Sequence, residues 1–126
     1  MITQREAEEK DLSIQYLRHG FPEAFKLFFF QYYPELFSFS QMLLQQPAPA
    51  RKVAMEAFFL LWTRRKEFDS AKKIKAFLYL AIRNKCLQRL KAPASNGDEP
   101  ATGDDIPSSL PPDLLRELFA FAARAS

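Results

Sequence analysis

Residues 55–91 read MEAFFLLWTRRKEFDSAKKIKAFLYLAIRNKCLQRLK, and this stretch decides the fold. AFFLLW at 57–62 is apolar on nearly every side of a helix. A helix of that kind belongs in the centre of a bundle, packed on two faces. The spacing predicts it over about 49–67. Asp69 and Ser70 are cap-type residues, and a further helix is predicted over 71–91. Its inward stripe is Ile74, Phe77, Leu78 and Ala81. At about 100° per residue, Lys72, Ala76, Tyr79 and Arg83 share the opposite face. Two cations and a ring on one face suit phosphates and unstacked bases.

Toward the amino terminus the helical pattern continues. Residues 11–19 place Leu12, Tyr16 and His19 at helical spacing, and Gly20 is a helix stop. Pro22 suits a first turn. A long aromatic helix is predicted over about 22–46, with Pro34 kinking or splitting it and Pro47-Ala48-Pro49 ending it. Toward the carboxyl terminus, residues 92–111 turn to Pro, Gly and acids, which reads as a flexible acidic linker. A last helix is predicted over 113–123, and its leucines and phenylalanines need a partner surface. Val, Ile and Thr are few and no period-2 alternation is sustained, so the fold class is all-α. The domains expected are a helical bundle over 1–91, the linker over 92–111 and a carboxyl-terminal helix over 112–126.

Several function classes fall away. Gly20, Gly97 and Gly103 are the only glycines and cannot build a phosphate-cradling loop. Cys86 is the single cysteine, so no disulfide framework or cysteine metal site is expected, and a small core residue is its plain reading. His19, the sole histidine, sits at a helix end, and Glu6, Glu8 and Glu9 form a run without convergence. No enzyme activity, cofactor or metal is expected. No apolar run approaches the ~18 residues of a membrane span. The charged start, MITQREAEEK, lacks a signal peptide's apolar stretch, so a cytoplasmic location is expected.

The net charge of +3 conceals segregation. Residues 51–91 carry 12 Lys/Arg against 3 Asp/Glu, a local +9. That imbalance points to a polyanion partner, most simply nucleic acid; a solvated basic face is the plain alternative. Lys72, Lys73 and Lys75 crowd a helix amino terminus, where each cation costs about 0.3–1 kcal/mol. A bound phosphate would reverse that sign. Arg64, Arg65 and Lys66 lie just before it, at the end of the preceding helix, where the dipole favours cations.

Three pieces then carry a family resemblance. YLRHGFPEAFKLFFFQYYPELFSFS (16–40), MEAFFLLWTRRKEFD (55–69) and IKAFLYLAIRNKCLQRLK (74–91) come in the order and spacing of region two of extracytoplasmic-function sigma factors. The resemblance covers residues 11–91. It implies a compact helical domain that binds the clamp coiled coil of the RNA polymerase largest subunit and helps melt promoter DNA. It implies that the loop between the third and fourth helices captures a flipped base of the minus-ten element. Carried over by position, the DNA set is Arg64, Arg65, Phe68, Asp69, Lys72, Lys75, Tyr79, Arg83 and Asn84. The polymerase set is Lys52, Met55, Glu56 and Phe59. An anti-sigma factor is a further partner the family implies.

Two departures stand out. Where the family's polymerase-contacting run reads roughly EDLVQE, this chain has Arg51, Lys52, Val53, Ala54, Met55 and Glu56. A basic pair replaces an acidic one, and like charges across an interface cost several kcal/mol. Family tryptophan is Phe77 here. SLPPDLLRELFAFAA resembles the opening of region four, yet no recognition helix follows before Ser126. A trimmed or naturally short form is expected on that ground. The expected function is that of a sigma-like initiation factor recognising and melting the minus-ten element. The alternatives are a sigma-derived regulatory or decoy module without polymerase docking, and a helical interaction domain that uses its apolar tail.

Overall fold

The computed structural model describes residues 12–91 and 106–125. The run at Glu6–Glu9 and most of the acidic linker lie outside the described residues.

Helix α1 covers 12–18 among these residues. Gly20, at φ +88°, ends it. The Gly20 amide donates to the Leu17 carbonyl and the Phe21 amide to the Tyr16 carbonyl, both at 3.0 Å. This crossed pair is a Schellman closure, and the usual apolar contact across it is the Tyr16–Phe21 ring pair, 5.4 Å apart.

Helix α2 spans Pro22–Leu44 without interruption. The expected split at Pro34 does not occur. Pro34 is exposed and removes one backbone hydrogen bond, a loss of about 3 kcal/mol. Against it stands an aromatic stack that crosses the same turn: Phe29 on Tyr33 at 4.9 Å and Tyr33 on Phe37 at 6.0 Å. Each such burial contributes about 1.5–3 kcal/mol, so the stack wins. Gln45, left-handed at φ 60°, ends the helix, its amide donating to the Gln41 carbonyl. Pro47-Ala48-Pro49 therefore does not terminate α2. It forms the first turn of α3, where the missing N–H groups have no helical partner anyway.

Helix α3 spans Pro47–Thr63, four residues short of the expected end. A 3-10 turn, Arg65–Glu67, follows and delivers Phe68 back into the core. Ala57, Phe58, Phe59, Leu61 and Trp62 are all buried, as the apolar run demanded. Helix α4 spans Ala71–Lys91. Ser70 caps it, its Oγ accepting from the Lys73 amide at 3.1 Å. The buried positions of α4 are Ile74, Leu78, Ala81, Ile82 and Cys86.

Helix α5 spans Pro112–Ala125. Leu114, Leu118 and Ala122 are buried at i, i+4, i+8, and Phe121 meets Phe30 at 4.6 Å. Lys26 of α2 pairs with Glu117 at 3.0 Å. The apolar tail thus finds its partner within this molecule, which removes it as a free interface. Residues 106–111 also depart from the linker reading. Leu110 is buried, and the Trp62 indole donates to Ser109 Oγ at 2.7 Å.

Contacts fix the directions. Phe25–Trp62 and Tyr33–Phe58 make α2 and α3 antiparallel. Glu35–Lys75 and Ser40–Cys86 make α2 and α4 parallel. One end of the bundle therefore gathers the α1–α2 turn, the α3–α4 loop and Ser109.

Candidate nucleic-acid interface

Residues 64–83, the α3–α4 loop and the first thirteen positions of α4, hold seven Lys/Arg. Most are tied internally. Arg64 forks onto Glu67, Nε at 2.9 Å and Nη2 at 2.8 Å, and its guanidinium lies 5.1 Å from the Phe77 ring centre. That bond holds the Glu67 carboxyl below its ordinary pKa. Lys73 pairs with Asp69 at 2.9 Å and lowers its pKa chiefly by the side-chain hydrogen bond, with a smaller charge effect from Arg18. Lys75 pairs with Glu35 at 3.3 Å.

Three cations remain. Lys66, Lys72 and Arg83 are exposed and make no ion pair among the described residues. The amino terminus of α4 makes the point sharply. Of its three lysines, Lys73 and Lys75 are neutralised by Asp69 and Glu35, whereas Lys72 keeps its unfavourable place against the dipole without an offset. Lys72 and Arg83 lie three turns apart on one face, about 16 Å along the axis. Asn84 is exposed beside Arg83.

Other members of the expected DNA set are structural. The Arg65 guanidinium lies 4.2 Å from the Trp62 ring centre and donates to the Trp62 carbonyl at 2.9 Å. A Cβ on Gly20 would stand 3.3 Å from Arg65 Nη2, a tight approach that adds to the left-handed φ of +88° in favouring glycine there. Phe68 is 9% exposed and packs on Phe77 at 4.9 Å, which withdraws it from base stacking. Tyr79 is half-buried. Its hydroxyl donates to Glu35 at 2.8 Å, and its ring meets Phe39 edge-on at 4.9 Å. Burial, followed by that bond to a carboxylate, pushes its phenol pKa up. The expected stripe omitted Ile82 and Cys86. Their burial rotates the packed face of α4 toward Tyr79, so the ring sits at the margin rather than opposite the core.

The expected polymerase set divides in the same way. Met55 and Phe59 are 2% and 1% exposed, and Phe119 of α5 covers Phe59 at 6.3 Å. Both are corrected to core residues. Lys52 and Glu56 are part-buried. Glu56 is held by Lys85 at 3.2 Å, beside a cleft of about 250 Å³ lined also by Val53, Gln88 and Arg89. Sequence reasoning missed Glu35, the acceptor for both Tyr79 and Lys75. Its signal was that of a lone carboxylate one position from the proline inside an aromatic helix.

The described residues form an all-α bundle with exposed cations on the α3–α4 loop and α4. The family model for sigma-70 region 2 matches residues 28–94. The chain belongs to that family, a domain of transcription factors that work with RNA polymerase and promoter DNA rather than of an enzyme class. Searches of curated proteins and of solved structures each return no significant match. Among the described residues no helix is long and apolar enough to cross a membrane.

Proposed function

We propose that the chain is a sigma-like initiation factor of the extracytoplasmic-function type, working in the bacterial cytoplasm. It binds core RNA polymerase through α3, at Lys52 and Glu56, and holds the opened minus-ten strand along the α3–α4 loop and α4. Lys66, Lys72, Arg83 and Asn84 touch the strand. Arg64, Asp69 and Lys75 act from ion pairs that a phosphate or base edge can exchange. Arg65, Phe68 and Tyr79 shape the edge from beneath.

One observation carries this reading: within a sigma-70 region 2 domain, Lys66, Lys72 and Arg83 of the α3–α4 loop and α4 are exposed and make no ion pair among the described residues. A backbone-tracking basic groove is what single-strand capture requires. The test is permanganate footprinting of a promoter fragment with core polymerase. Reactive thymines at the minus-ten position on adding the chain, lost with Lys72→Ala/Arg83→Ala, are expected. A fragment that stays closed with polymerase captured overturns melting by this chain.

A second reading rests on α3. Lys52 stands where the resemblance calls for an acid, Met55 and Phe59 are buried, and Glu56 is already engaged by Lys85. These favour a regulatory module that keeps the DNA edge and loses polymerase docking. Capture by core polymerase of the natural chain against Lys52→Asp decides. Stronger capture of the variant supports the second reading; equal, strong capture removes it. An anti-sigma factor is a proposed partner under either reading.

A further inference from the structure

The rings that the sequence offered for stacking are engaged elsewhere, Phe68 in the core and Tyr79 on Glu35 and Phe39. Two other rings stand in the open at the same end of the bundle. Tyr16 is 51% and Phe21 53% exposed, and they meet edge to face at 5.4 Å. They bracket the Gly20 turn, which rests on Arg65 of the α3–α4 loop. Arg18, between them in sequence, is exposed and close enough to Asp69 to lower its pKa slightly. The ring pair is thus joined to the α3–α4 loop through the approach of the Gly20 turn to Arg65.

The geometry points to Tyr16 and Phe21 as a stacking platform for an unpaired base of the strand held on the α3–α4 loop. This rests on the single-strand reading above and extends its path across the α1–α2 turn. The chemistry favours a base over an apolar protein partner. A ring offers a π-face that any base can use, and the neighbouring Arg18 and Lys66 supply charges that a phosphate needs and an apolar surface does not. The Schellman closure explains why the two rings touch. It does not require both to stay half exposed.

The full chain is titrated against a 12-nucleotide single strand carrying 2-aminopurine at successive positions. Stacking is expected to quench emission at one position. Tyr16→Ala and Phe21→Ala should each weaken binding about tenfold, because stacking contributes about 1–3 kcal/mol per base and 1.4 kcal/mol is tenfold. The salt slope should stay unchanged and Tyr16→Trp should bind like the natural chain. If an alanine variant does not fold, the quenching in the natural chain and the Trp variant still decide. Emission unchanged at every position, or folded alanine variants that bind normally, overturns the platform and leaves the DNA edge standing. A natural chain that binds no strand at all overturns both. Dimerisation abolished by Tyr16→Ala, in place of an effect on the strand, assigns the rings to a self-interface and overturns the platform.

Discussion

Removing Lys72 and Arg83 together is the sharpest perturbation of the basic edge. Four exposed cations at this edge, Arg18, Lys66, Lys72 and Arg83, make no ion pair among the described residues. Each phosphate contact on a single strand contributes about −0.7 to the slope of log K against log salt. Four contacts give about −2.8, so affinity should fall about 50-fold between 50 and 200 mM salt. Lys72→Ala/Arg83→Ala leaves two contacts and a slope of about −1.4, and the same salt step then costs about 7-fold. Both side chains are exposed, so the double variant should keep its helicity, with a melting temperature unchanged or slightly raised as Lys72 leaves the helix amino terminus. Anisotropy of a labelled 12-nucleotide strand at four salt concentrations measures both slopes. A natural-chain slope near zero refutes the claim that these cations meet phosphates. An unchanged slope in the double variant moves the contacts elsewhere.

Gly20→Ala should destabilise the fold by about 1–2 kcal/mol, through its left-handed backbone and the contact with Arg65, read by urea unfolding. Phe121→Ala removes a half-buried ring that touches Phe29, Phe30 and Tyr33, and should cost about 2 kcal/mol in the same assay. Burial pushes the Cys86 thiol pKa up, so a thiol reagent at pH 8 should label the folded chain far more slowly than the unfolded one. The carboxyls of Glu67 and Asp69 are both depressed by their basic partners. Their stabilisation is therefore present above the unfolded carboxylate range, about pH 4, and is lost as pH falls through the lower folded values. A Glu67→Gln/Asp69→Asn variant should show a flatter acid limb in melting temperature; an identical limb refutes a contribution from the loop pairs.

The order of helices was legible because it rests on local signals. The apolar girdle at 57–62, the glycine at 20 and the serine cap at 70 each act over a few residues, and the sequence displays them directly. What misled were features decided by distant partners. Pro34 breaks a helix on propensity alone, and only the Phe29–Tyr33–Phe37 stack, pressed on Phe58, holds it continuous. The ring of Tyr79 was assigned to ligand because its acceptor, Glu35, is 44 positions away. Met55 and Phe59 carry over by position from the family's docking run, and nothing local reveals that they are buried, Phe59 against Phe119 of α5. Charge was more readable than shape. The charge of the +9 segment is spread over α3, the α3–α4 loop and α4, but sequence could not say that Glu35, Glu67 and Asp69 neutralise three of its members.

The pairing of α5 with α2 sets a timetable for biosynthesis. Phe30 and Phe121 are about 90 positions apart, and ribosomes add about 5–20 residues per second. The aromatic flank of α2 therefore waits roughly 5–18 s for its own cover after emerging. During that interval the nascent chain presents a greasy strip that chaperones can hold, and a message that stalls before codon 112 leaves it permanently bare.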